Sequence, residues 1–429
     1  MWFFLLPRGR LTVRARRWHA VLMLSASAIF SSPLMAATPE QLSDAVRTAW
    51  AAHPAAAATE QTLAAARARA DAAGRPLYNP EIELDVDDEG QDRTTTAGIG
   101  MTLDLFGKRD ARAAAGDAAL ALAEAQAHLR RATFTQAWLQ GWAERQAAQH
   151  RVQLGAQRVA LVKRFAELAD KQFGVGDISS LERDLALLAR DQTMAEQATL
   201  LADAAAADEA FRVVGGLPGR VPDSGTDEVP PALTLADENL RAVPEQRIAM
   251  AQSLQAERLV TVAASERRAD PTVRLRAGQV DLGPTSDNVI GLTVSVPLFV
   301  RNSYRAEGVA TQADSAAAAA ELQLVSLQVE ARAERARVTY ASVRDAWTLW
   351  AKSPGTDVEA RAGLLERLWR AGEISTADYL IQLQQTLDTA LAGADLQGRV
   401  WRAYVDALYA TGQLDAWVGF ESSASEVTP

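Results

Sequence analysis

Two carboxylates stand at matching places of a repeated turn. In "FGVGDISSLE" (173–182) Glu182 lies six residues past Gly176, and in "WRAGEISTAD" (369–378) Asp378 lies six past Gly372. Acids placed once per turn could act on a cation through charge. The plainer alternative is a solvated helix face on which Glu182 is answered by nearby Arg183 or Arg190. Four further acids, Glu81, Glu83, Asp85 and Asp87, alternate with Ile82, Leu84 and Val86 and so share one face of a strand. Their field would attract cations without coordinating them, while Arg274 and Arg276 on a later strand work against it.

Other chemistry finds little material. The chain has no cysteine, and beyond its first 36 residues the histidines are His53, His128 and His150, none three or four residues from another. A tight metal site is therefore not expected, and no cofactor is implied. His53, followed by Pro54, reads as a helix start. With no G-x-S-x-G, P-loop, H-E-x-x-H or cysteine nucleophile, the sequence does not read as an enzyme. Trp138 and Trp142, like Trp347 and Trp350, are about one turn apart and suit packing between helices or in a belt around them.

Residues 1–36 have the form of a secretory signal peptide. Arg8, Arg10, Arg14, Arg16 and Arg17 precede an apolar run from Ala20 to Phe30 and the small residues near Ala36. Removing these five arginines from the 44 basic residues leaves 39 against 54 acidic ones. So acidic a chain is poorly suited to nucleic acid. No later stretch is long and apolar enough for a transmembrane helix, so entry into a membrane requires a closed β-barrel.

The acids are positioned by a duplication. "GIGMTLDLFGKR" (98–109) and "GLTVSVPLFVRN" (291–302) are the same strand-to-helix junction. "NPEIELDV" pairs with "DPTVRLRAG", and His53-Pro54 with Val243-Pro244. Each half reads helix, strand, loop, strand, very long helix, tight turn, helix. The first repeat spans 37–220, with strands near 80–88 and 97–106 and helices near 108–172 and 178–214. A Pro/Gly-rich linker or equatorial segment covers 221–235. The second repeat spans 236–415, with strands near 271–281 and 289–299 and helices near 303–371 and 374–411, the former broken at "KSPGTD". A tail covers 416–429. A helix of 65 residues would run about 98 Å, a length suited to a coiled coil or helical tube.

Four amphipathic strands cannot close by themselves, so several copies must share one barrel. A dimer would supply eight strands and a trimer twelve. Eight leaves an interior filled by side chains, so a duct favours the trimer.

With both "G-[DE]-I-S-[ST]" turns and the "LDLFGKR" and "VPLFVRN" junctions in view, the chain resembles the TolC-type outer-membrane factors. The junctions are similar to the cation and heavy-metal efflux (CzcC-like) branch. The resemblance implies an α+β membrane protein in which four transmembrane β-strands per chain join long antiparallel coiled-coil helices. Three copies would form a twelve-stranded barrel above a periplasmic α-helical tunnel, in the outer membrane of a Gram-negative bacterium and in contact with its lipid. It also implies a belt built from the linker, the "KSPGTD" insert and the segment after Gly412. The partners would be a periplasmic membrane-fusion adaptor and an inner-membrane pump of the resistance–nodulation–division (RND) class.

In such a duct Glu182 and Asp378 would line the closed aperture, with six carboxylates around the mouth. Gly176, Asp177, Ile178, Ser179 and Gly372, Glu373, Ile374, Ser375 would form the tip that docks the adaptor or pump. Glu81, Glu83, Asp85 and Asp87 would face the barrel lumen. Ile178 and Ile374 stand where the family's best-known duct places a gate arginine two residues past the turn glycine, so a latch here must differ. Lys108, Arg109, Arg301 and Arg305 would fall at the membrane–periplasm boundary, as helix caps or lipid-headgroup contacts. The function implied is passive exit of metal cations. A duct for drugs or secreted polypeptides is the alternative, and a periplasmic coiled-coil scaffold is a third reading from another class.

Overall fold

The computed structural model describes residues 39–90, 92–217, 230, 237–283, 285–353 and 358–420. The expected signal peptide, most of the 221–235 linker and the end of the tail lie outside them. Of two units, Met1–Leu34 and Met35–Pro429, all described elements belong to the second.

The first half holds α1 (Pro39–Ala52), α2 (Pro54–Ala73), β1 (Glu81–Glu89), β2 (Asp92–Thr102), α3 (Lys108–Val175) and α4 (Ser180–Val213). After a 3-10 turn (Asp237–Ala242) come α5 (Pro244–Glu266), β3 (Thr272–Asp281), β4 (Ser286–Ser295), α6 (Arg305–Ala351), α7 (Val358–Arg370), α8 (Thr376–Ala410) and the short α9 (Leu414–Val418). The matching helices α2 and α5 of the two repeats each start with proline, where its missing N–H loses nothing. His53 caps α2, its Nδ1 accepting the Ala55 N–H at 3.2 Å. The α9 helix straddles residue 415, where the second repeat was expected to end, and packs on α1 and α3.

Helix α3 has 68 residues, and at 1.5 Å each it runs about 100 Å. Its first half keeps a buried residue every seven positions: Ala111, Ala118, Ala125, Ala132, Leu139 and Gln146. That is a coiled-coil seam, and its alanines let neighbours approach closely. The helix packs on α2, α4, α5 and α8, while α6 packs on α5 and α8.

The four strands form one antiparallel sheet in the order β1-β2-β3-β4, so the two hairpins join along β2 and β3. β2 and β4 start and stop several residues earlier than the sequence suggested. The hairpin loops are tighter than their polar stretches imply, with Gly90 (φ +82°) and Gly283 (φ +80°) in the left-handed region, and Glu89 already faces Asp92. At the other end Asp104 turns the chain into α3 by accepting backbone N–H groups from Lys108 (2.9 Å) and Arg109 (2.7 Å). Burial would raise the Asp104 carboxyl, but those bonds outweigh it and hold it below its ordinary value.

Two cores stabilise the helices. The larger gathers Trp138, Trp142, Phe211, Tyr340, Trp347 and Tyr404 with Leu42 and Val46 of α1 and Val418 of α9. The tryptophan pairs read from sequence are indeed interhelical packing, with Trp138 against Phe211 at 5.0 Å and Trp142 against Trp401 at 5.1 Å. Gly393 on α8 leaves room for the Trp350 indole, since a Cβ there would lie 2.0 Å from Trp350 Cζ2. Gly393→Ala is expected to destabilise the helical part by about 1–3 kcal/mol through overpacking, read as a lowered thermal midpoint by circular dichroism.

Candidate functional site

The two repeated turns have the same construction. At the first, Gly176 sits at φ +86°, its N–H reaching Phe173 O at 3.0 Å and the Asp177 N–H reaching Gln172 O at 2.9 Å. At the second, Gly372 sits at φ +74°, with the Gly372 N–H on Trp369 O and the Glu373 N–H on Leu368 O, both at 3.0 Å. These bonds close the last carbonyls of α3 and α7. Three residues on, Ser179 and Ser375 cap α4 and α8 by accepting the N–H of Glu182 at 3.3 Å and of Asp378 at 3.1 Å.

The structure thus places both singled-out acids at the third position of a capped helix. Glu182 Oε2 takes the Ser179 N–H and the Ser179 hydroxyl, each at 2.8 Å, which completes a capping box. Asp378 Oδ2 takes the Ser375 hydroxyl at 2.7 Å. The arginine partners considered for Glu182 lie elsewhere: Arg183 pairs with Asp184 and Arg190 with Asp191.

A contact absent from the sequence reading joins the two turns. Trp369 Nε1 donates to Thr376 Oγ1 at 3.1 Å, and the Thr376 hydroxyl donates to Glu182 Oε1 at 3.3 Å. Thr376 is almost fully buried. Beneath it Phe165 stacks on Tyr379 at 4.2 Å and meets Trp369 edge-on at 4.7 Å. Ile178 and Ile374 pack on this core, so the positions expected to lack a gate arginine add apolar contact to the tip. Burial, with the nearby Glu366 charge, pushes the Tyr379 phenol up to about 12.

The turns differ in what they expose. Trp369, three residues before Gly372, is 6% exposed, whereas its counterpart Phe173 is 36% exposed and lies under the Arg183 guanidinium at 4.4 Å. Val175 and Leu181 stand open beside it.

Hydrogen bonds from the Ser179 N–H and hydroxyl, joined by Thr376, hold the Glu182 carboxyl below its ordinary value. A depressed carboxylate contributes stability above its unfolded pKa, and that stability is lost as pH falls through the folded value. Amide protection around Ile178 and Ser179 is therefore expected to drop on acidification below about pH 4, the ordinary glutamate range. Hydrogen exchange should show the drop in the native chain and its absence in Glu182→Gln.

In the sheet, Ile82, Leu84, Val86, Ile99, Leu275, Ile290, Leu292 and Val294 are each more than half exposed on one face. The opposite face carries Glu81, Glu83, Asp85 and Asp87, with Arg274 against Glu83 at 2.7 Å. The outer edges of β1 and β4 are unpaired among the described residues.

The junction residues separate. Lys108 is withdrawn from the surface, its Nζ 3.1 Å from Asp270 and 3.5 Å from Glu266, while the Tyr78 hydroxyl donates to Asp270 at 2.8 Å. Lys108 therefore ties the first half to the second, and its ammonium is not free for the lipid-headgroup contact expected of it. Arg109 reaches Gly74 O at 2.7 Å, and Arg301 and Arg305 are exposed. Among the described residues no three histidine or acidic side chains gather as a metal-holding group.

No protein-family model matches the chain. It is 28% identical over 248 residues to the cobalt-zinc-cadmium resistance protein CzcC of Cupriavidus metallidurans, a match covering 56% of this chain and 59% of that protein's length. Among solved structures it superposes on the outer membrane protein VceC of Vibrio cholerae with a TM-score of 0.68 at 17% identity, covering 87% of this chain and 96% of that one. CusC, whose crystal structures concern folding and transmembrane channel formation, gives a TM-score of 0.70 at 14% identity, with 86% and 92% covered. The fold is therefore that of the TolC-type outer-membrane factors, and the sequence is similar to their cobalt-zinc-cadmium resistance branch.

Proposed function

We propose that this chain is one copy of a homotrimeric exit duct in the outer membrane, which passively conducts metal cations out of the cell. In this reading each copy supplies four strands to a twelve-stranded barrel, and the α3–α4 and α6–α8 hairpins build the periplasmic tunnel. Cargo arrives from an inner-membrane pump of the RND class through a periplasmic adaptor. The observation that carries the proposal is the sheet. It has an exposed apolar face, a charged opposite face and two open edges, and it continues directly into a helix of about 100 Å. Lipid would cover the apolar face, and further copies would cover the edges. Similarity to a cobalt-zinc-cadmium resistance protein supports metal cations as the cargo.

The tip would be the gate. Glu182, Thr376 and Trp369 clasp the two turns of one copy, and Glu182 and Asp378 from three copies would present carboxylates to passing cations. The open apolar group Phe173, Val175 and Leu181 would dock the adaptor at the α3–α4 turn. Fractionation tests the whole proposal. A heat-sensitive, detergent-resistant oligomer in the outer-membrane fraction is expected. Recovery as a soluble periplasmic protein would contradict it and favour a scaffold.

A further inference from the structure

Two arginines on β3 treat their neighbours in opposite ways. Arg274 lies opposite Gly100 of β2, which lies opposite Glu81 of β1. A Cβ at Gly100 would stand 3.0 Å from Arg274 Cγ. The side chain therefore passes over the bare glycine, crosses β2 and meets Glu83 on β1 at 2.7 Å. Arg276, two residues on and on the same face, leans the other way. It lies opposite Gly291 of β4, where a Cβ would stand 2.7 Å from its Nε and 3.1 Å from its Cγ. Arg276 is exposed and pairs with no acid among the described residues. It points over the last strand of the sheet, toward an edge with no neighbour among the described residues.

We infer that Arg276 crosses β4 over Gly291 to pair with Glu83 or Asp85 on β1 of a second copy, which completes the edge-to-edge contact. This rests on the shared-barrel reading above. Arg274 shows that the reach suffices, since it spans the same number of strands inside one chain. The charges complement each other: β1 carries Glu81, Glu83, Asp85 and Asp87 on the face where Arg276 lies. The opposite faces of both edges also agree, with Ile82, Leu84 and Val86 on β1 and Ile290, Leu292 and Val294 on β4. Each acidic strand is then gripped twice, by Arg274 of its own copy and by Arg276 of the next. The arrangement sets which edges meet, because like edges would bring two acidic strands together.

The test uses the full chain in outer membranes and reads the temperature at which the detergent-resistant oligomer dissociates. Far-UV circular dichroism checks that each variant folds. Arg276→Gln is expected to shift dissociation down, and Arg276→Glu further. Reversal on the other edge, Asp85→Arg or Glu83→Arg, should weaken the oligomer too. Co-expression of tagged Arg276→Glu chains with untagged Asp85→Arg or Glu83→Arg chains should then give mixed oligomers more heat-stable than those of either variant alone. Rescue between separate chains cannot come from a contact inside one chain. Wild-type dissociation in both Arg276 variants, or mixed oligomers no more stable than the parents, would overturn the inference and leave the duct standing. A wild-type chain that forms no oligomer would sink both.

Discussion

Thr376→Val is expected to raise the single-channel conductance of the assembled protein in planar bilayers several-fold. The substitution keeps the shape of the side chain but removes the hydroxyl that accepts from Trp369 Nε1 and donates to Glu182. The Trp369 N–H, buried and deprived of its acceptor, then carries a desolvation penalty of about 1–3 kcal/mol in the clasped state. The balance shifts toward any arrangement in which the α7–α8 turn moves away from the α3–α4 turn and water reaches the indole. Ser179→Ala is the matched control. It weakens the α4 cap by about 0.5–2 kcal/mol but leaves Thr376 able to reach Glu182, and its conductance should stay near the wild-type value. Equal conductance in Thr376→Val and wild type would remove the clasp from the account.

Lys108→Met is expected to destabilise the protein by about 3–5 kcal/mol, the range for removing one partner of a buried ion pair. Both side chains are at least nine-tenths buried, Lys108 at 6% and Asp270 at 3% exposed. Asp270 would be left buried without its lysine, with the Tyr78 hydroxyl as its remaining partner in that cluster. Burial pushes the Lys108 ammonium down, yet Asp270 and Glu266 outweigh burial and leave it above its ordinary value, so the charged form is the stable one. Adding Asp270→Leu should recover much of the loss, because an apolar pair of similar volume carries no unpaired charge. Arg301→Met, at the equivalent place of the second repeat, should change little in a single chain, since Arg301 is exposed. Denaturant midpoints of the three variants check the ordering.

Much of this architecture is legible in the sequence because it rests on short-range patterns. The apolar alternation of "EIELDV" and "GIGMTLDL" depends on the two-residue period of a strand, and the duplicated turns announce themselves through glycine, isoleucine and serine. The absence of proline from Lys108 to Gln172 permits a helix of that length. The contacts that join the halves are less legible. Thr376 lies 194 residues from Glu182, and nothing in "EISTAD" marks its hydroxyl as a bridge. A signal existed three residues before each turn glycine, where Phe173 and Trp369 differ in having a donor to bury. The burial of Lys108 is equally hidden, because lysine is seldom buried unless paired and the sequence does not show the pair. Its partner Asp270 sits beyond α3, α4 and α5, out of reach of any local pattern. The strand ends shifted for a related reason. Whether "DRTTT" is loop or strand depends on the partner strand, and Asp104 stops β2 through hydrogen bonds that periodicity does not record.

Exit of metal cations is read from growth of the host with the gene deleted. Zinc, cobalt, cadmium, nickel, copper and silver would be titrated beside a panel of dyes and antibiotics. Sensitisation to one or a few of the metals is expected, with the drugs unaffected and growth restored by the wild-type gene. Sensitisation to drugs with every metal unaffected would contradict it.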